Sequence, residues 1–142
     1  MRFIYPARFQ PDRTGEIIVS FRDLPGCLTS GSNRTEAQAA AADALEEAIA
    51  GRIDDGEEIP TPSPRCAGEH LIAVPADIAA KASLVLAFRK SGLSRVALAQ
   101  RFGVNDKVIR RMLDPRHGTT TTRIHKALRV LGRELIVESR AT

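Results

Sequence analysis

Ser94-Arg95-Val96-Ala97-Leu98-Ala99-Gln100-Arg101-Phe102-Gly103-Val104-Asn105-Asp106-Lys107-Val108-Ile109-Arg110-Arg111-Met112-Leu113-Asp114-Pro115 is the stretch that decides how this chain is read. It opens as an amphipathic helix, with Leu98, Ala99 and Phe102 on one side and Arg95 and Arg101 exposed. Ala99 is small where a second helix must cross close by, and Gly103 can take the positive φ of a tight turn. Val104 fills the core at that turn, and Asn105 or Asp106 can cap the next helix. At about 100° per residue, Lys107, Arg110 and Arg111 then share one face, while Val108, Ile109, Met112 and Leu113 gather on the other. Asp114-Pro115 ends the helix, because proline cannot continue the hydrogen-bond ladder.

This is the spacing of a helix-turn-helix, whose second helix enters a major groove of DNA. The competing reading is an ordinary helical hairpin with a solvated charged face. Base contacts are expected from Lys107, Arg110 and Arg111, with Asn105 and Asp106 at the helix N-terminus. Arg95, Arg116 and Arg123 are candidate phosphate contacts. An arginine on guanine O6 and N7 discriminates by about 1–3 kcal/mol, whereas a lysine on phosphate mainly adds affinity. One such motif reads few bases, so a homodimer or tetramer is expected, its recognition helices about 34–36 Å apart.

The 142 residues suffice for one ordinary domain or two small ones, and 43% hydrophobic with 27% charged residues describes a soluble globular protein. No apolar run approaches the roughly 20 residues of a membrane span. Met1–Pro6 has no long apolar region of the signal-peptide kind. Cys27 and Cys66 show no metal spacing and are too few for a disulfide framework, so a reducing cytoplasm is the expected setting. The net charge of +4 is unevenly spread. Residues 1–70 carry seven Lys and Arg against twelve Asp and Glu, and residues 71–142 carry fourteen against five. A basic half attracts phosphate, and an acidic half suits a protein partner or an oligomer contact.

Upstream, Arg2–Gln10 and Glu16–Phe21 alternate like strands around the turn Pro11-Asp12-Arg13-Thr14-Gly15. Leu24-Pro25-Gly26 is a second turn, with a short strand expected over Cys27–Ser30. Thr35 with Gln38 can form a capping box for a helix with Ala37, Ala41, Ala44, Leu45, Ala48 and Ile49 inward, which Gly51 can end. Asp54–Pro64 reads as loop and His70–Val74 as a fourth strand. From Asp77 the pattern is helical, with Ile78, Ala82, Val85 and Leu86 on one face, Gly92 as breaker and Ser94 as the next cap. After Thr119–Thr122 comes a last helix with Ile124, Ala127, Leu128 and Leu131 inward, ended by Gly132. Leu135-Ile136-Val137 could add a short C-terminal strand, a place for two chains to pair. The reading is α+β, a sheet domain over 1–75 and an all-helical domain over 76–142.

The chain resembles the HicB antitoxin family of bacterial toxin–antitoxin pairs. The likeness lies in Tyr5-Pro6, the Asp12…Gly15 hairpin, Phe21 with Asp23-Leu24-Pro25-Gly26-Cys27, and Thr29 and Gly31. It continues through Thr35-Glu36-Ala37…Ala44-Leu45, Ile59-Pro60 to Ser63, Val74-Pro75 and the C-terminal helix-turn-helix, spanning nearly the whole chain. Ser32-Asn33-Arg34 departs from it, since the family usually runs from the glycine through an acidic residue more directly into the helix. The resemblance implies an N-terminal partial ribonuclease-H-like ββ-β-α-β unit without catalytic activity. It implies a small basic partner, a HicA-type mRNA-cleaving toxin with a double-stranded-RNA-binding-like fold and a catalytic histidine, whose active site this chain would cover. It also implies that the C-terminal domain represses its own operon by binding double-stranded operator DNA. A stand-alone transcriptional regulator, its N-terminal domain sensing a ligand or only oligomerising, is the alternative.

No catalytic site is expected. Asp12, Glu16 and Asp23 sit on or beside turns and read as solvated loop charges rather than a two-metal cluster. His70, His117 and His125 lie far apart, neither cysteine has a neighbouring histidine, and Cys27 should pack under its turn. No metal or cofactor is called for. The toxin-contacting residues stay unassigned.

Overall fold

The computed structural model describes all residues from Met1 to Thr142. The elements run β1 (Ile4–Pro11), β2 (Ile17–Ser20), β3 (Leu28–Gly31), α1 (Arg34–Asp54), β4 (Glu69–Ala73), α2 (Ala76–Ser91), α3 (Arg95–Phe102), α4 (Asp106–Leu113) and α5 (Thr121–Val130). The chain is mixed α+β and divides into two compact units, Met1–Ala79 and Ala80–Thr142.

In the first unit the strands form an antiparallel sheet in the order β3-β2-β1-β4. β1 is central, pairing Phe9 with Val19 of β2 on one side and Tyr5 with Ile72 of β4 on the other. Alternation turns Phe3, Tyr5 and Ala7 into the core with Val19 and Ile72, and α1 covers them. The β1–β2 turn is closed by Asp12, whose Oδ1 accepts from the Thr14 amide at 2.8 Å, the Thr14 hydroxyl at 2.7 Å and the Glu16 amide at 3.0 Å. These bonds hold the Asp12 carboxyl below its ordinary pKa, the Thr14 hydroxyl being the largest cause.

α1 buries Ala37, Ala41, Leu45, Ile49 and Ile53, one residue per turn, and the small ones let it lie close to the strands. The closest approach is at Gly31, where a Cβ would sit 2.3 Å from the Ala37 amide nitrogen and 2.7 Å from its Cα. Only glycine fits there. Two expectations for this helix are corrected. Its N-cap is Asn33, not Thr35: Asn33 Oδ1 accepts from the Glu36 amide at 2.9 Å, and Glu36 Oε2 accepts from the Ser32 amide at 3.1 Å. Ser32-Asn33-Arg34, the departure from the family pattern, therefore supplies the cap. Nor does Gly51 end the helix. Burial of Ile53 carries it another turn to Asp54, and the positive φ falls at Gly56.

In the second unit Leu84, Leu98, Ile109, Met112, Ile124 and Leu128 form the core. The expectation of a single apolar face on α2 is corrected too. Ile78, Ala82 and Val85 are buried as read and Leu86 half-buried, but Ala80, Leu84 and Ala87 are buried as well and enter this core. A helix apolar nearly all round is buried on more than one side. The terminal strand is absent. Residues 131–142 carry no strand, because this unit offers no edge for them to pair with. Leu135 instead packs on the core, its amide donating to His125 Nδ1 at 3.2 Å, and Ile136 and Val137 stay about 80% exposed.

Candidate functional site

The two units differ in charge. Met1–Ala79 holds seven Lys and Arg against thirteen Asp and Glu; Ala80–Thr142 holds fourteen against four. In the basic unit, α3 and α4 pack against each other through a short capped turn. Ser94 caps α3, its hydroxyl accepting from the Ala97 amide at 3.0 Å. Gly103, at φ +78°, turns the chain so that its own amide and that of Val104 both reach the Ala99 carbonyl, at 2.9 and 3.0 Å. Asn105 then caps α4, accepting from the Val108 amide at 3.0 Å, while Asp106 takes the first helical position. Val104 packs on the core at the turn.

Ile109 and Met112 of α4 are buried, and Lys107, Arg110 and Arg111 are exposed on the same helix. Arg95 and Arg116 are exposed too, as is Arg123 in the first turn of α5. Asp106 gathers two of these cations. Arg110 Nη2 lies 3.1 Å from one carboxylate oxygen and Arg95 Nε 3.9 Å from the other. The pair across α3 and α4 adds orientation more than stability, since exposed ion pairs contribute about 0.2–1 kcal/mol. Asn105 serves the cap with its oxygen, so helix geometry has first use of that atom.

One residue of this unit escaped the sequence reading. Lys81 on α2 is only 3% exposed, and its Nζ donates to the His117 carbonyl at 2.9 Å, to Thr119 Oγ1 at 2.8 Å and to the Arg111 carbonyl at 3.4 Å. Burial pulls its pKa down to about 8, against the opposing field of Asp114. The signal was present in the sequence: one lysine inside the apolar run Ile78–Phe88 has no wet face to occupy.

In the acidic unit the carboxylates do structural work and do not converge. Asp12 closes a hairpin, as above. Asp23 is not a solvated loop charge: its carboxylate accepts from the Ser63 amide at 2.8 Å and the Ser63 hydroxyl at 2.6 Å. Glu69 of β4, 3% exposed, is gripped by the guanidinium of Arg22 at 2.9 and 3.2 Å and by the Cys66 amide at 2.7 Å. The Arg22 bond is the largest cause holding its pKa down to about 2. Tyr5 is fully buried, and its hydroxyl donates to the Pro60 carbonyl at 2.6 Å. Desolvation is the main reason its pKa is pushed up to about 12. Arg22 also donates to the Pro64 carbonyl, so Tyr5, Arg22 and Asp23 together hold the Ile59–Arg65 segment. The Arg22–Glu69 and Tyr5–Pro60 contacts join residues far apart in sequence, beyond the reach of local patterns.

His70 stacks edge-on against Phe9, His125 serves Leu135, and His117 gives its carbonyl to Lys81. No three His, Cys, Asp or Glu side chains come together as a metal site. Cys27 is half-buried and burial raises its thiol pKa; Cys66 is exposed. A shallow groove of about 500 Å³ runs beside the Leu24–Leu28 turn, where Leu24, Cys27 and Ala48 meet Glu47, Asp55 and Glu57. No helix is long and apolar enough to cross a membrane.

A sheet unit of this order, joined to a basic helical unit, is set among known proteins by comparison. Residues 4–83 match the family of HicB-like antitoxins of bacterial toxin–antitoxin systems. The chain is 38% identical over 131 residues to Antitoxin HicB of Escherichia coli K12, covering 92% of this chain and 95% of that protein. It is 40% identical over 131 residues to Antitoxin HicB 2 of Photorhabdus laumondii, at 92% of each. It is 31% identical over 134 residues to Antitoxin HicB of Pseudomonas fluorescens, at 92% and 90%. The class is that of toxin–antitoxin antitoxins. The chain belongs to the HicB-like antitoxin family.

Proposed function

We propose that this chain is a non-catalytic antitoxin and autorepressor. Its first unit covers the active site of a basic HicA-type mRNA-cleaving toxin, and the α3–α4 pair is a helix-turn-helix that binds the operator of its own operon. The observation that carries this is the pairing, in one chain, of an acidic sheet unit with a basic helical unit whose α4 exposes Lys107, Arg110 and Arg111. Opposite charge speeds encounter with a basic toxin, and burial of about 1,200–2,000 Å² suffices for a stable complex. On the DNA side, Lys107, Arg110 and Arg111 are assigned to base and phosphate contacts in the major groove, with Asn105 and Asp106 at the helix start. Arg95, Arg116 and Arg123 are assigned to the backbone. The sheet unit is assigned a partial ribonuclease-H-like architecture without its chemistry, a reading supported by the engagement of Asp12 and Asp23 in turn and loop bonds. A cytoplasmic homodimer or tetramer places two recognition helices about 34–36 Å apart on DNA.

The test is co-expression with the small neighbouring gene product, followed by growth, co-purification and operator-shift assays. Rescue of growth, a stable complex and salt-sensitive operator binding are expected. A chain that neither binds nor protects against that product is a stand-alone regulator instead.

A further inference from the structure

Lys81 is held in an unusual way. An ammonium buried to 3% exposure normally faces a carboxylate, yet its three bonds go to neutral oxygens: the Arg111 carbonyl, the His117 carbonyl and Thr119 Oγ1. Each of its three hydrogens has one acceptor. The Arg111 carbonyl lies in the last turn of α4, where it also accepts from the Asp114 amide at 3.2 Å. His117 and Thr119 belong to the connection from α4 to Thr120, the N-cap of α5. One side chain of α2 thus ties down both ends of the segment that follows α4. Arg110 and Arg111 lie just before it, and Arg116 within it.

We propose that Lys81 is a positioning residue for DNA reading: its ammonium fixes the end of α4 and the Asp114–Thr119 connection so that Arg110, Arg111 and Arg116 meet DNA in one geometry. This rests on the operator binding proposed above. A buried cation whose direct bonds all go to neutral oxygens is a poor stabiliser, because its desolvation offsets what those bonds return. A methionine would fill the same space. What methionine cannot do is hold three oxygens at one point.

The charged surroundings make this arrangement pH-dependent. Asp114 is the carboxylate whose field reaches Lys81; Arg111 and His117 offer only their carbonyls and keep exposed side chains. Near pH 8 the ammonium gives up a proton, and the neutral amine has two hydrogens for three acceptors.

The full chain is titrated against DNA from upstream of its own gene, at constant ionic strength, from about pH 6.5 to about pH 9.5 (a window set by the Lys81 transition). Lys81→Met is expected to bind about tenfold more weakly at pH 7 with its melting temperature retained. The unsubstituted chain is expected to lose affinity across pH 8 more steeply than Lys81→Met. Thr119→Val, which keeps shape and removes one acceptor, is expected to lose part of the affinity, and the double variant no more than Lys81→Met alone. Unchanged binding by Lys81→Met, parallel pH profiles, or additive losses overturn the proposal. If Lys81→Met does not fold, a Thr119→Val profile superposable on the unsubstituted one overturns it equally. No binding by the unsubstituted chain at any pH overturns the operator reading itself, a distinct result.

Discussion

Each unit buries one charged side chain, and the two are held in opposite ways. Glu69 meets a cation, the fork of Arg22, with the Cys66 amide beside it. Lys81 meets only neutral oxygens. An anion in a guanidinium fork is better off in the fold than in water, and its pKa falls to about 2. A cation among carbonyls is worse off charged, and its pKa falls to about 8. Both shifts are downward, but they differ in meaning. For Glu69 the unfolded chain binds the proton more readily below about pH 4.5, so the stability it contributes is present above that pH and lost as pH falls toward about 2. For Lys81 the unfolded chain keeps the proton between about pH 8 and 10.5, so stability rises with pH through that window. One unit uses its buried charge to hold together and the other to hold a shape.

Four substitutions would break or sharpen that contrast. Gly31→Ala drives a Cβ into the backbone of α1 and is expected to cost roughly 3 kcal/mol. Hydrogen exchange should show the loss in the β1–β2 amides before those of α4. Arg22→Met leaves Glu69 buried without its fork. Melting followed between pH 7 and 2 should show a clear drop at neutral pH that shrinks on acidification; an unchanged curve would remove Glu69 from the account. Lys81→Met should leave neutral stability unchanged or slightly raised and abolish the rise between about pH 8 and 10.5. Loss of stability at all pH values would make Lys81 an ordinary structural bond. Smallest of all, Asp106→Asn should shift stability by about 0.5 kcal/mol or less. It releases Arg95 and Arg110, so DNA binding is expected to tighten and its salt dependence to steepen, as read from affinities at several salt concentrations.

The elements legible in the sequence were those with a local period. The Ala37…Ile49 stripe, the alternation of Phe3, Tyr5 and Ala7, and the Gly103 turn all announce themselves within a few residues. Helix ends were less legible. Thr35 with Gln38 has the capping spacing, but Asn33 with Glu36 has it two residues earlier and places Ala37 against Gly31. Leu135-Ile136-Val137 has strand composition, yet a strand exists only beside another, and α5 claims Leu135 through His125. The Arg22–Glu69 fork and the three bonds of Lys81 join positions 47 and at least 30 apart. Nothing in a local pattern pairs them.

The segment Ile59–Arg65 carries one more consequence. Residues 55–68 contain no helix or strand, the usual place for a protease to cut. Here Tyr5, Arg22 and Asp23 pin that stretch to the sheet unit through Pro60, Pro64 and Ser63. A protease needs an extended segment free of such anchors, so cleavage there waits on opening of the first unit. The lifetime of the chain in the presence of proteases then follows the population of that opened state, and with it the strength of the Arg22–Glu69 fork.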